Sequence, residues 1–246
     1  MSAIRFSKIR GLETGYRSAA VNMAIDEALI ESIDESPVFR VYGWRPAAVS
    51  IGYFQSIRDE VDSEKCSEIG VDIVRRLTGG GAVLHEFELT YSFITKRYPQ
   101  NIMESYRWIC EAIVTSINRL GFSSSFVPLN DIVINGKKVS GSAQTRRKGV
   151  LLQHGTLLLN VDVDKMFSIL KVPSEKLRDK IIKDVKQRVT SLEGTTFDDL
   201  AWSLKTGFAT KFDAKLVFDC LSTDEASHAK WLAERKFSSN EWNFRR

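Results

Sequence analysis

The dipeptide Asn135-Gly136, set between "DIVI" and "KKVSG", constrains this chain more than any other local feature. Asparagine followed by glycine favours a two-residue turn with positive φ at both positions, which folds its flanks into an antiparallel hairpin. A turn of that length predicts the pairing: Ile134 with Lys137, Val133 with Lys138, Ile132 with Val139 and Asp131 with Ser140. Side chains alternate, so Asp131, Val133, Lys138 and Ser140 share one face and Ile132, Ile134, Lys137 and Val139 the other. With the isoleucine face in the core, Lys138 and Asp131 project together on the opposite side. Two readings fit them. They form a cross-strand pair worth roughly 0.2–1 kcal/mol, or they are a phosphate-binding amine beside a carboxylate that holds Mg²⁺.

A second constraint is "RRLTGGGAVLH", Arg75 to His85. Glycine costs roughly 0.5–1 kcal/mol relative to alanine in regular structure, so Gly79, Gly80 and Gly81 need a compensating reason. Residues without side chains let a backbone approach a ligand, and successive N–H groups can form an anion site. An ordinary tight connection is the alternative. The stretch lacks the GK[ST] ending of a phosphate loop and is not GxGxxG. Arg75 and Arg76 would add positive charge beside it.

Around these stretches the chain alternates helical and strand periods. "SAAVNMAIDEALIES" predicts a helix with Ser18 as N-cap. "VFRVYGW" and "AAVSIGYF" read as strands on either side of Arg45-Pro46, "SEKCSEIG" as a short helix, "VDIVRRL" as a buried strand, and "GAVLH" and "ELTYSFITK" as two more. "NIMESYRWICEAIVTSINRLG" puts Ile102, Tyr106, Ile109, Ile113, Ile117 and Leu120 on one helical stripe. "VLLQHGTLLLNV" is a long apolar strand. From about residue 173 three helical segments follow, the last opening with a Ser222/Glu225 capping box. The expectation is a single α+β domain over 1–246, strand-rich to about 172 and helical from 173 to 246.

The 246 residues are 43% hydrophobic, enough to bury a full core. No apolar run spans a membrane and no secretory leader opens the chain, so a cytoplasmic protein without membrane contact is expected. Cys66, Cys110 and Cys220 are scattered and odd in number, which predicts buried thiols rather than disulfides or a zinc site. The net charge of +4 suits an anionic ligand or acidic partner, but the basic residues are too dispersed for nucleic-acid binding. His85 and His154 lie in strand-like stretches with no serine or cysteine at a spacing that names a triad; buried, neutral histidine is the plain reading.

Together, "RRLTGGGAVLH", "NDIVINGKKVSGSAQ" and "LLQHGTLLLNVD", with "NMAIDEAL", "YGWRPAAVSIGYFQ" and "FSSNEWNF", resemble the lipoate-protein ligase and octanoyltransferase superfamily over nearly the whole chain. The resemblance implies an α+β fold with a mixed sheet flanked by helices, shared with biotin-protein ligases. It implies that the glycine loop lies against an activated acyl group and that Lys138 is the catalytic lysine at its carboxyl end. Arg76, Gly79, Gly80, Gly81, Ala82, His85, Asn130, Asp131, Gly141, Ala143, His154 and Gly155 become candidate substrate and nucleotide contacts, with Asp131 as a ligand for Mg²⁺. With this context the second reading of Asp131 and Lys138 is preferred.

The superfamily holds two chemistries. A ligase makes acyl-AMP from ATP and a free acid, then acylates a lysine. An octanoyltransferase takes a thioester from acyl carrier protein and forms an acyl-enzyme on cysteine. The positions matching that cysteine read Ser125-Phe126 and Pro173-Ser174-Glu175, and a serine hydroxyl is much the weaker nucleophile at neutral pH. "LHEFELTYS", "YGWRPAAVS" and "GSAQTRRKG" are nearer the cysteine-type transferases. The missing cysteine leads us to expect a lipoate-protein ligase using ATP and Mg²⁺, with octanoyl transfer as the alternative. Expected partners are apo lipoyl domains of 2-oxoacid dehydrogenases and the glycine-cleavage carrier protein. Many ligases carry a C-terminal accessory domain, so a separate accessory protein is also expected.

Overall fold

The computed structural model describes residues 4–172 and 177–246. Among them the strands are β1 (Lys8–Arg17), β2 (Val38–Trp44), β3 (Ala48–Ile51), β4 (Asp72–Arg75), β5 (Val83–His85), β6 (Glu88–Thr95), β7 (Ser124–Val127), β8 (Asp131–Ile134), β9 (Lys137–Arg147), β10 (Val150–Leu158) and β11 (Lys215–Asp219). The helices are α1 (Ala19–Ser32), α2 (Ile57–Glu60), α3 (Ser63–Glu68), α4 (Ile102–Arg119), α5 (Val163–Ile169), α6 (Arg178–Arg188), α7 (Phe197–Phe212), α8 (Thr223–Leu232) and α9 (Asn240–Asn243). None is long and apolar enough to cross a membrane.

Eight strands form a mixed sheet in the order β11-β1-β2-β6-β10-β9-β8-β7, and β4-β3-β5 form a smaller one. The period of two divides the large sheet into unlike faces. Phe39 and Val41 of β2, Leu89, Tyr91 and Phe93 of β6, and Leu151 and Leu157 of β10 point to one face. They pack there against Ile109, Ile113 and Ile117 of α4 and Leu204, Phe208 and Phe212 of α7. Phe39 stacks on Phe208 with ring centroids 4.2 Å apart. The opposite face is covered by α1 and α8 at one end, through Met23, Leu29, Ala229 and Leu232. The same strands also contribute the polar residues Arg40, Glu88, Thr90, Ser92 and His154, all buried. Strands that bury both faces are expected to be apolar throughout; a row of buried polar groups on three neighbouring strands therefore marks where chemistry sits.

The α+β architecture agrees with the sequence expectation, with four local corrections. The C-terminal part is not purely helical: β11 returns to the large sheet and pairs in parallel with β1. β7 adds an edge strand beside β8. In the hairpin, Ile134 faces Lys137 and Val133 faces Lys138 as predicted, but a bulge then moves Ile132 opposite Ser140 and Asp131 opposite Gly141. One extra residue on β9 shifts the alternation beyond it. Ile102, placed on the apolar stripe of α4, is instead exposed in its first turn. The capping box of α8 forms as expected.

Candidate active site

Between the polar face of the large sheet and the small sheet lies a cavity of about 510 Å³. Its wall combines apolar side chains, among them Met23, Trp44, Leu84, Leu158 and Met166, with a concentrated set of polar groups. Arg76, Gly79, Gly80, Gly81, Ala82, His85, Asn130, Lys138, Gly141, Ala143, His154 and Gly155 all line it, drawn from the loop after β4, from β5, from the turn before β8, and from β9 and β10. Asp131 stands behind Lys138, its Oδ1 2.7 Å from the ammonium nitrogen. Gly141 makes this placement possible, since a Cβ there would meet Lys138 Nζ at 2.9 Å. The bulge brings Gly141 opposite Asp131 and lets the lysine lie across the strand rather than point away from it.

The glycine loop is shaped from below by Arg76. Its terminal nitrogens donate to the carbonyls of Gly79 at 2.7 Å, Gly81 at 2.8 Å and Ser50 at 2.9 Å. Gly80 has φ of 95°, which a side chain would resist, and its carbonyl presses so close to Gly52 that a Cβ there would overlap it at 2.0 Å. Burial lowers the Arg76 pKa to about 10. Arg76 thus lines the cavity while its donors are engaged by the protein, and these bonds hold the loop in place.

Two hydroxyl–histidine–carboxylate chains converge on the same guanidinium. In one, Ser50 Oγ lies 2.7 Å from His85 Nε2, and His85 Nδ1 lies 2.6 Å from Glu88 Oε1. Thr90 donates to that same oxygen at 2.6 Å, and Trp44 donates to Thr90 while stacking on the His85 ring at 4.0 Å. In the other, Thr78 Oγ1 lies 2.7 Å from His154 Nε2, and His154 Nδ1 lies 3.3 Å from Asp26 Oδ2. Arg76 donates to both hydroxyls, at 3.2 Å each. Asp26 is further held by Arg40 at 2.6 Å and by Ser92 at 2.8 Å. Desolvation pushes the His154 pKa down, favouring the neutral ring.

Arg75, expected beside the loop as an added charge, is instead fully buried. It donates to the carbonyls of Gly52, Gln55 and Asn243, while Trp242 donates back to the Arg75 carbonyl. The candidate nucleophile Ser125 is exposed on β7 and away from the cavity wall, and Ser174 lies outside the described residues. Cys66 and Cys110 are buried as expected, with burial raising their pKa to about 11 and about 12; Cys220 is exposed, contrary to expectation. Among the described residues no cysteine lines the cavity.

The profile of the lipoyl protein ligase A/B catalytic domain matches residues 18–208, a span that contains every one of these cavity residues. This chain belongs to that family. Similar members include octanoyltransferase LipM of Bacillus subtilis (strain 168), 37% identical over 96% of this chain and 98% of the relative. Octanoyltransferase LipM of Clostridioides difficile (strain 630) is 35% identical over 92% and 95%. Among solved structures, the bipartite lipoate protein ligase of Thermoplasma acidophilum, studied with its E2 lipoyl domain, superposes with a TM-score of 0.91 at 33% identity, covering 97% of each chain. A lipoate-protein ligase A bound with ATP superposes at 0.85 and 29%, over 96% of this chain and 98% of that one.

These LipM relatives overturn the expectation of an ATP-dependent lipoate ligase, because they match this chain nearly end to end and are octanoyltransferases. Structural likeness to ligases within the family does not restore it, since one scaffold serves both chemistries. The features nearer the transferases, including "LHEFELTYS", outweigh the missing cysteine. Asp131, the expected Mg²⁺ ligand, pairs with Lys138, and among the described residues no group of three or more His, Cys, Asp or Glu side chains could hold a metal.

Proposed function

We propose that this family member is an octanoyltransferase, moving an octanoyl group from the thioester of acyl carrier protein to a lysine amine of an apo lipoyl domain. The end-to-end similarity to octanoyltransferases carries this reading. The cavity is compatible with it: apolar side chains offer room for the acyl tail, and Lys138 and the glycine loop line the same cavity and offer donors to a carbonyl. In this proposal Lys138 donates to the thioester oxygen, and the loop Gly79 to Ala82, with Asn130, Gly141, Ala143, His154 and Gly155, shapes the reacting end. The acceptors are the lipoyl domains of 2-oxoacid dehydrogenases and the glycine-cleavage carrier protein. The net charge of +4 suits an acidic carrier through electrostatic steering.

The test is acylation of a purified apo lipoyl domain, read by intact mass, with octanoyl-acyl carrier protein in one arm and octanoate or lipoate plus ATP and Mg²⁺ in others. Octanoylated product from the carrier thioester alone is the expected result. Product confined to the ATP arms overturns the proposal.

A further inference from the structure

Octanoyl transfer through a covalent intermediate needs a nucleophile at the cavity wall, and the cysteines do not supply one. The serine and threonine side chains lining the cavity are Ser50, Thr90, Ser142 and Thr156 among the described residues. Of these, Ser50 is the one bonded to a histidine. Its network also dictates where the protons lie. Glu88 as a carboxylate only accepts, so His85 Nδ1 carries a proton and donates to it. A neutral His85 therefore presents a bare Nε2, and the Ser50 hydroxyl donates to it. Arg76 donates to Ser50 Oγ from the other side, placing a buried cation beside the oxygen that would become negative. The chain through Thr78 is similar in outline, but Thr78 does not line the cavity, and His154 sits farther from its carboxylate.

We infer that Ser50, with His85 as base and Glu88 as its orienting carboxylate, carries the acyl group in place of a cysteine. This rests on the octanoyltransferase reading. Ser50 Oγ attacks the thioester carbonyl as its proton passes to His85 Nε2. The C–S bond breaks, the carrier's sulfur leaves with that proton, and an octanoyl ester of Ser50 remains. The neutral amine of the acceptor lysine then attacks the ester and gives a proton to His85. The C–O bond breaks, and Ser50 Oγ recovers the proton as the amide is formed. Nothing is oxidised or reduced.

The inference is tested by mixing the full chain with octanoyl-acyl carrier protein without acceptor, quenching in acid, and mapping any octanoyl adduct by mass. The expected adduct is on Ser50 and survives neutral hydroxylamine, as an oxygen ester does and a thioester does not. Ser50→Ala should lose both adduct and transfer while remaining folded, with a lowered melting temperature because His85 and Arg76 each lose a buried partner. Ser50→Cys, which also covers the case of a misfolded alanine variant, should keep the adduct but make it hydroxylamine-labile. An adduct at another residue, or full turnover by folded Ser50→Ala, overturns the role of Ser50 while leaving octanoyl transfer standing. Absence of any product from the wild-type chain with this donor overturns the octanoyltransferase reading and this inference with it.

Discussion

Lys138 and its neighbour Lys137 differ by one position and by everything that matters for chemistry. Lys138 lines the cavity against Asp131, whereas Lys137 is exposed beside the turn. The ion pair is partly solvated, with side chains 44% and 33% exposed, so its loss costs at most about 1 kcal/mol of stability. Lys138→Ala is therefore expected to abolish acyl transfer with little change in melting temperature, and Lys137→Ala to leave both near wild type; assaying both variants beside a thermal melt checks this. The alternation of the hairpin made Lys138 and Asp131 legible in the sequence. Ser50 was not, because its base comes from a strand 35 residues away, through β3 and β5 pairing that no local spacing reveals. Asp26 and Glu88 escaped for the same reason: each reads as an ordinary acid until a histidine is brought to it.

At the scale of elements, hydrophobic period identified the long helices and the buried strands, which bury enough surface to dominate their own pattern. It did not reveal β11, whose residues are mostly exposed, or β7, a half-exposed edge strand. Neither has a buried face to impose alternation. One junction between elements also sets a pH dependence. Glu225 caps α8 while accepting from Arg10 of β1 at 2.7 Å, and this pairing holds its pKa at about 2 against an ordinary value of 4.5. The unfolded chain binds the proton first, so this contribution is complete above about 4.5 and is lost as pH falls toward about 2. His154 acts earlier. Its pKa is lowered from 6.5 by burial, so stability should begin to fall as pH drops below that value. Denaturant melts across pH should show both losses, with Glu225→Gln flattening the lower one and leaving the upper one in place.

Across the whole molecule, the C-terminal stretch is joined to the site rather than appended to it. Arg75 receives partners from Trp242 and Asn243 and from residues 52–55, which abut the glycine loop. Removing residues 240–246 would leave that guanidinium buried with part of its hydrogen bonding gone. A loss of about 3 kcal/mol or more is expected, together with weakened acyl transfer, as measured by urea denaturation and the lipoyl-domain assay. The same contact orders events during synthesis. Asn243 leaves the ribosome 168 residues after the arginine it completes. Until residues 242 and 243 are made, the floor of the glycine loop has no finished support, and chains stalled before residue 243 should be cut by protease near residues 52–55. The glycine loop is thus made long before the residues that complete the support beneath it.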